Sequence, residues 1–338
     1  MATAPLASGA VIELEASTVL LQWAVGGMAF CWFTTRRREV GLGYGWLLRG
    51  VFAVLAFGGG LIGLRMDDNP VRDVAGLMVG AACLVVLAIS IARRRVGVRG
   101  QRAEHDRRSR RVAAMTDIHR QPTVATDGSA GSTQPCGTSP SAGTPDGPGA
   151  PDDMAGGSGL PGRSSDGSER DQVGEFPPLL DLLPVAIGLI GLVAAAVDTD
   201  ANVTVALVRT LAGALFLGAV TDAMLLGHWY LVQPGLPRRL LHELVDALGV
   251  VWPIEVVAML LPTGMISVWS GAVDDGWGGT LGWFWAACAV TTIVLVVVTK
   301  AALREREYSA VMAATGLLYL AILTAFGTDL VARAVLST

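Results

Sequence analysis

The chain of 338 residues carries a row of long apolar blocks, each close to the length a helix needs to cross a roughly 30 Å hydrocarbon core. In order they cover 17–35, 45–65, 74–92, 179–198, 203–227, 240–261, 281–299 and 308–330, about eight spans by length. Hydrocarbon offers a backbone amide no water, so each block must satisfy its own hydrogen bonds, and a helix does so where a lone strand cannot. The expected fold is therefore all-α: a polytopic membrane helix bundle with three spans before a long interruption and five after it. A hydrophobic share of 52% agrees with this, and a formal net charge of −4 argues against nucleic acid as a partner.

Orientation follows from the arginines. Arg36, Arg37 and Arg38 follow the first span, Arg93 to Arg95 the third, Arg238 and Arg239 separate the fifth and sixth, and Lys300, Arg304 and Arg306 follow the seventh. If spans alternate, all fall on one face, which the positive-inside pattern makes cytoplasmic. The other face carries Asp67, Asp68, Asp198, Asp200, Asp274 and Asp275, with Arg65, Arg72 and Arg333 as its basic residues. The expectation is a multi-pass protein of the cell membrane with both termini extracytoplasmic. The first span lacks a basic leader and a small-residue cleavage site, so it is expected to stay as an anchor.

Residues 112–176 are a different polymer, dense in Gly, Ser, Pro and Asp, with almost no apolar surface to offset chain entropy. Composition predicts a disordered cytoplasmic linker between a three-span unit, 1–111, and a five-span unit, 177–338. The stretch from Arg93 to Arg111 is rich in arginine, and anionic lipid headgroups would attract each charge by about 1 kcal/mol. It reads as a topology determinant resting on anionic lipid. Cys31, Cys83 and Cys288 lie in apolar blocks and Cys136 in the linker, without the paired spacing of metal or redox sites. Gly59 with Gly63 and Gly76 with Gly80 give small-residue faces suited to close helix packing.

The polar residues inside the spans carry the functional question, because an ionised side chain in hydrocarbon costs several kcal/mol unless it finds a partner or water. Arg209 and Glu255 lie about 9 Å in from the same face on adjacent spans, so they are expected to pair. Pro253, two residues before the glutamate, removes a donor for the carbonyl of Gly249. Nearer the basic face stand Asp181, Asp222, His228, His242, Glu243 and Asp246. His242, Asp246, Gly249 and Pro253 recur at helical spacing and form a stripe on the sixth span.

His228 and His242 at similar depth are candidates to ligate haem iron or another metal, with Asp246 orienting His242. Against this, no Cys-x-x-Cys-His or His-Glu-x-x-His spacing is present. The plainer reading places Trp229 and Tyr230 in the interfacial aromatic belt, His228 among headgroups, and the carboxylates on Arg238 and Arg239. Residues 262–285 hold Trp269, Trp277, Trp283 and Trp285, which suits a segment lying on the outer membrane surface or a site for a quinone headgroup.

No nucleophile, metal or phosphate motif specifies a catalytic residue. The sequence leaves three readings open. The first is handling of an ion, proton or small solute through the five-span unit. The second is a haem- or quinone-linked redox component, and the third an accessory subunit that holds a membrane-protein partner.

Overall fold

The computed structural model describes residues 16–66, 69–93, 176–199, 202–233, 236–305 and 307–336, and it contains helices and turns but no strand among them. The expected linker up to residue 175, the arginine stretch beyond Arg93, and Cys136 lie outside the described residues. The helices are α1 (Ala16–Thr35), α2 (Leu42–Met66), α3 (Pro70–Ala92), α4 (Leu182–Val197), α5 (Val203–Val232), α6 (Arg239–Leu260), α7 (Gly264–Trp269), α8 (Thr280–Arg304) and α9 (Tyr308–Leu336). A 3-10 turn, Pro178–Asp181, leads into α4.

Local chemistry sets several helix starts. Asn69 accepts the backbone N–H of Arg72 at 3.0 Å with Pro70 in the first turn, and Asn202 accepts that of Thr204 at 3.0 Å. Both satisfy N–H groups that the helix itself leaves without a partner. Asp275 does more for α8: its carboxylate accepts from Trp277, Gly279 and Leu281 at 3.0, 2.8 and 2.9 Å. Gly279, at φ 84°, supplies the left-handed backbone that this turn requires.

Seven helices are long and apolar enough to cross a membrane: α1, α2, α3, α4 with its leading turn, α5, α8 and α9. This is one fewer than the eight spans expected. The difference is α6, which is 22 residues long but carries Glu243, Asp246 and Glu255. It lies against α5 and α8 and buries Glu255 completely, while Glu243 and Asp246 stand toward its basic end in ion pairs with Arg37 and Lys300. Val54, Ile190, Val250 and Leu323 are all more than 60% exposed on outward faces, an apolar belt that water would not solvate and lipid would.

The helices on the two sides of the interruption share one core. α1 packs on α2, α4 and α5; α3 packs on α2 and α4; α5 also contacts α6 and α9. Tyr44, Phe52, Phe216, Leu241 and Leu244 are fully buried within this core. The tightest crossing joins α1 to α5, where a side chain on Gly26 would collide with the carbonyl of Ala214 and one on Gly218 with the backbone of Gly26. Two glycines let the backbones meet, as small residues do between membrane helices. The Gly76 face of α3 meets Gly60 of α2, and Gly80 meets Phe57, in the same manner.

Ion pairs define one end of the bundle. Arg37 binds Glu243 at 2.6 Å, Arg239 binds Glu39 at 2.5 Å, Lys300 binds Asp246 at 2.5 Å, and Arg238 donates to the Glu305 carbonyl at 2.6 Å. The α1–α2, α5–α6 and α8–α9 connections therefore gather at this basic end. Solvent screens such pairs, and each contributes at most about 1 kcal/mol.

Candidate functional site

Besides the Arg72–Asp73 pair of α3 and Asp222 of α5, the buried charges described include one group near each end of the bundle. The group at the basic end was only half legible in the sequence: Asp181 was a candidate, and its partner is Arg49 of α2. Arg49 Nε and Nη2 donate to the two oxygens of Asp181, each at 2.7 Å, and both side chains are 3% exposed or less. Thr35 donates to Asp181 Oδ2 at 3.2 Å, Ser90 accepts from Arg49 Nη1 at 3.4 Å, and the Phe176 ring lies 4.6 Å from the guanidinium carbon. A two-point guanidinium–carboxylate fork with its remaining groups bonded is the arrangement in which a buried pair is stable. It ties α2 to the start of α4.

The opposite end holds the second group. Arg209 and Glu255 face it from α5 and α6, but no ion pair or hydrogen bond joins them. Arg209 instead donates from Nε to the Ala258 carbonyl at 3.1 Å and from Nη2 to the Leu261 carbonyl at 2.6 Å. These carbonyls end α6, where no further N–H of the helix donates to them, so a cation there is favoured twice, by hydrogen bonding and by the helix dipole. Sequence depth alone places two residues at one level; it does not show which of several acceptors a guanidinium takes.

α9 completes this group with two residues absent from the expected pair. Arg333 Nε donates to both oxygens of Asp329 at 2.9 and 3.0 Å, one turn apart on the helix, and Arg333 Nη2 donates to the Arg209 carbonyl at 3.0 Å. Gly213 on α5 makes room for them, since a side chain there would meet both Asp329 Oδ1 and Arg333 Nη2. Glu255 sits beside Asp329 with Arg333 and Arg209 within electrostatic reach. It is fully buried; neither carboxyl oxygen receives a hydrogen bond from a donor, and the side chain lies within hydrogen-bonding reach of the Asp329 carboxyl. Four ionisable side chains from three helices thus meet; Arg209, Asp329 and Arg333 are held by donor–acceptor bonds, and Glu255 stands beside a carboxyl with which it can bond only when one of the two carries a proton. A buried carboxyl without a donor breaks no donor's bond when it changes protonation state, and the cost of its ionised form is set by burial and by the charges beside it.

The remaining candidates are dispersed. His228 is exposed with its ring edge-on to Tyr319 of α9, at 6.4 Å between centroids. His242 is half-buried, with Nε2 3.1 Å from the Leu303 carbonyl of α8, and Asp246 is engaged by Lys300. The two imidazoles face α9 and α8 respectively. Asp246 does not orient His242, and no three metal-ligating side chains gather among the described residues. The stripe on α6 is the seam with α8, running antiparallel through Asp246 on Lys300, Gly249 on Val296, and Trp252 on the Ala289 carbonyl at 3.0 Å. Pro253 lies outside the seam and lines an apolar groove of about 510 Å³ with Val208, Val257 and Leu261.

Asp222 of α5 is fully buried, and both its carboxyl oxygens are without partners. Cys31, Cys83 and Cys288 are buried free thiols. Of the tryptophans near the opposite end, Trp277 and Trp283 are mostly exposed, while Trp285 packs against Met259, Met265 and Ala332. Asp275, at the foot of α8, is held below the ordinary carboxylate range by the backbone N–H of Gly279 first, with burial opposing and the N–H groups of Trp277 and Leu281 adding to the effect.

No family model, curated protein or solved structure matches this chain.

Proposed function

We propose that the bundle handles a proton, alone or coupled to an ion or small solute, through the helices that follow the interruption, and that Glu255 is the group that exchanges it. The observation that supports this reading is the one member of the four-residue group that no donor holds: Glu255 is buried beside the Asp329 carboxyl with no donor on either oxygen, while Arg209, Asp329 and Arg333 are fixed. Ionisable residues inside a membrane bundle mark ion and proton routes by default. With Glu255 ionised, two carboxylates face two guanidiniums and the group is neutral; with Glu255 protonated it carries one net positive charge. Proton uptake therefore changes the charge that a solute passing this end would meet, which is the elementary requirement for coupling.

The same reading places the basic end in the cytoplasm and both termini outside it, supported by the gathering of the arginine-bearing connections at one end. A reporter fused after Thr338 then behaves as extracytoplasmic and one inserted near Gly143 as cytoplasmic; the reverse pattern contradicts the orientation.

The functional test is a proton flux measurement in proteoliposomes under an imposed pH gradient. Wild type is expected to dissipate the gradient faster than empty vesicles, and Glu255→Gln to fall to the empty-vesicle rate while still folding. A folded Glu255→Gln with wild-type flux removes Glu255 from the route.

A further inference from the structure

One fully buried acid belongs to neither charged group. Asp222 lies on α5 ten residues before the helix ends at Val232, a rise of about 15 Å from the basic end at 1.5 Å per residue. Its relative exposure is 0%, and neither carboxyl oxygen has a hydrogen-bond partner. Arg49 in the same half is spent on Asp181. A carboxyl so placed has no bond to lose on gaining a proton and none to break on releasing it.

The groups around it are not inert. From α2, Tyr44 is fully buried and donates its hydroxyl to the Asp222 backbone carbonyl at 3.4 Å, with its ring system within electrostatic reach of the carboxyl. From α1, Cys31 is in reach of the same carboxyl, and beyond Cys31 lie Cys83 of α3 and the Arg49–Asp181 pair. Thr34, one turn closer to the basic end on α1, is within side-chain hydrogen-bonding reach of the Tyr44 hydroxyl and is itself fully buried. On α5 itself Tyr230 lies near Tyr44, and α6 supplies Leu241, Leu244 and Leu248 to this core. The hydroxyls of Thr34 and Tyr44 thus step from the end of α1 toward Asp222 through packing that is otherwise apolar.

We propose that Asp222 is a second protonatable site of the bundle, which takes up and releases a proton toward the basic end through the hydroxyls of Tyr44 and Thr34. In the transfer, the Tyr44 hydroxyl turns from the Asp222 backbone carbonyl to give its proton to the carboxylate and accepts another from Thr34, whose hydroxyl turns from the Phe30 and Cys31 carbonyls and takes a proton in turn from a hydronium ion arriving at the basic end. Each hydroxyl returns to its starting state, and the only net change is Asp222 carboxylate to carboxylic acid. Release runs the same steps backward. The site stands without Glu255, since it uses α1, α2 and α5 where the other uses α5, α6 and α9. If both operate, the protein has one exchangeable acid in each half of its thickness.

The test is an infrared pH titration of the purified protein in lipid, reading the carbonyl stretch of buried carboxylic acids and its shift on transfer to heavy water. Wild type is expected to show an acid band that disappears as pH rises and that is lost in Asp222→Asn. Tyr44→Phe retains this band and slows its deuterium shift. A spectrum unchanged by Asp222→Asn overturns the proposal, as does a Tyr44→Phe protein that exchanges at the wild-type rate. Should Asp222→Asn fail to fold, Asp222→Glu keeps the carboxyl and moves the band frequency; an unmoved band overturns the proposal equally. Glu255→Gln separates the two sites: a spectrum that loses only the Asp222 band on substitution, and nothing on Glu255→Gln, sustains this inference while removing Glu255 as an exchanging group.

Discussion

Two buried charge groups in one bundle have opposite characters. At the basic end Arg49 and Asp181 form a closed fork, with both carboxylate oxygens and the guanidinium edge occupied. At the other end Arg209, Asp329 and Arg333 are bonded, and Glu255 has a carboxyl neighbour but no donor. A closed pair resists any change in protonation, because losing one charge strands the other in a medium that cannot solvate it. An open carboxyl breaks no hydrogen bond when it gains or loses its proton, and only its ionised form carries the cost of burial. Burial of charge is thus common to both groups, and hydrogen-bond completeness separates a tie between helices from a site that can act.

The largest effect is expected from breaking the closed pair. Arg49→Leu or Asp181→Leu leaves one uncompensated buried charge and should lower stability by about 3–5 kcal/mol, while the double variant loses much less. Denaturation of the detergent-solubilised protein measures all three, and losses that simply add would show that the two residues do not interact. Next in size is Gly213→Val. Its side chain would press on Asp329 and Arg333 and is expected to cost about 1–3 kcal/mol, as overpacking does, while displacing the frame around Glu255. Wild-type stability and flux in Gly213→Val would mean that this end is looser than its packing implies.

A third, smaller effect belongs to pH. Asp275 binds three backbone N–H groups as the carboxylate, and its folded value lies below the unfolded one. Its contribution is therefore fully present above the ordinary carboxylate range, near pH 4, and is lost as pH falls through the lowered folded value. Hydrogen exchange at the amides of Trp277, Gly279 and Leu281 should accelerate in acid in the wild type, and should already be fast at neutral pH in Asp275→Asn. Protection that does not change with pH would separate the α8 cap from the charge of Asp275. The smallest effect on stability is expected for Glu255→Gln, within about 1 kcal/mol, because no hydrogen bond is removed.

The helices were legible because apolar length is a one-dimensional signal, and each of the eight expected spans overlaps one long helix. The charged groups were less so. Arg49 lies four residues inside the block beginning at 45, a depth at which a long side chain reads as reaching back to the interface. Its burial depends on Asp181, which stands 132 positions away. Asp329 and Arg333 show the spacing of a helical ion pair, i to i+4, and that signal was available. Arg209 and Glu255 were found by depth, but their partners depend on where α6 ends and on how α9 packs beside Gly213. The shared depth of His228 and His242 likewise said nothing about azimuth, and they turn toward different helices.

The contrast between the closed and the open group is tested most directly by measuring stability and proton flux together in Glu255→Gln and in the Arg49→Leu/Asp181→Leu double variant. The expected result is a Glu255→Gln protein that melts like wild type but carries no proton, and a double variant that is less stable yet conducts at the wild-type rate per folded molecule. If Glu255→Gln is severely destabilised and still conducts, while the double variant is stable and silent, the roles assigned to the two ends are reversed.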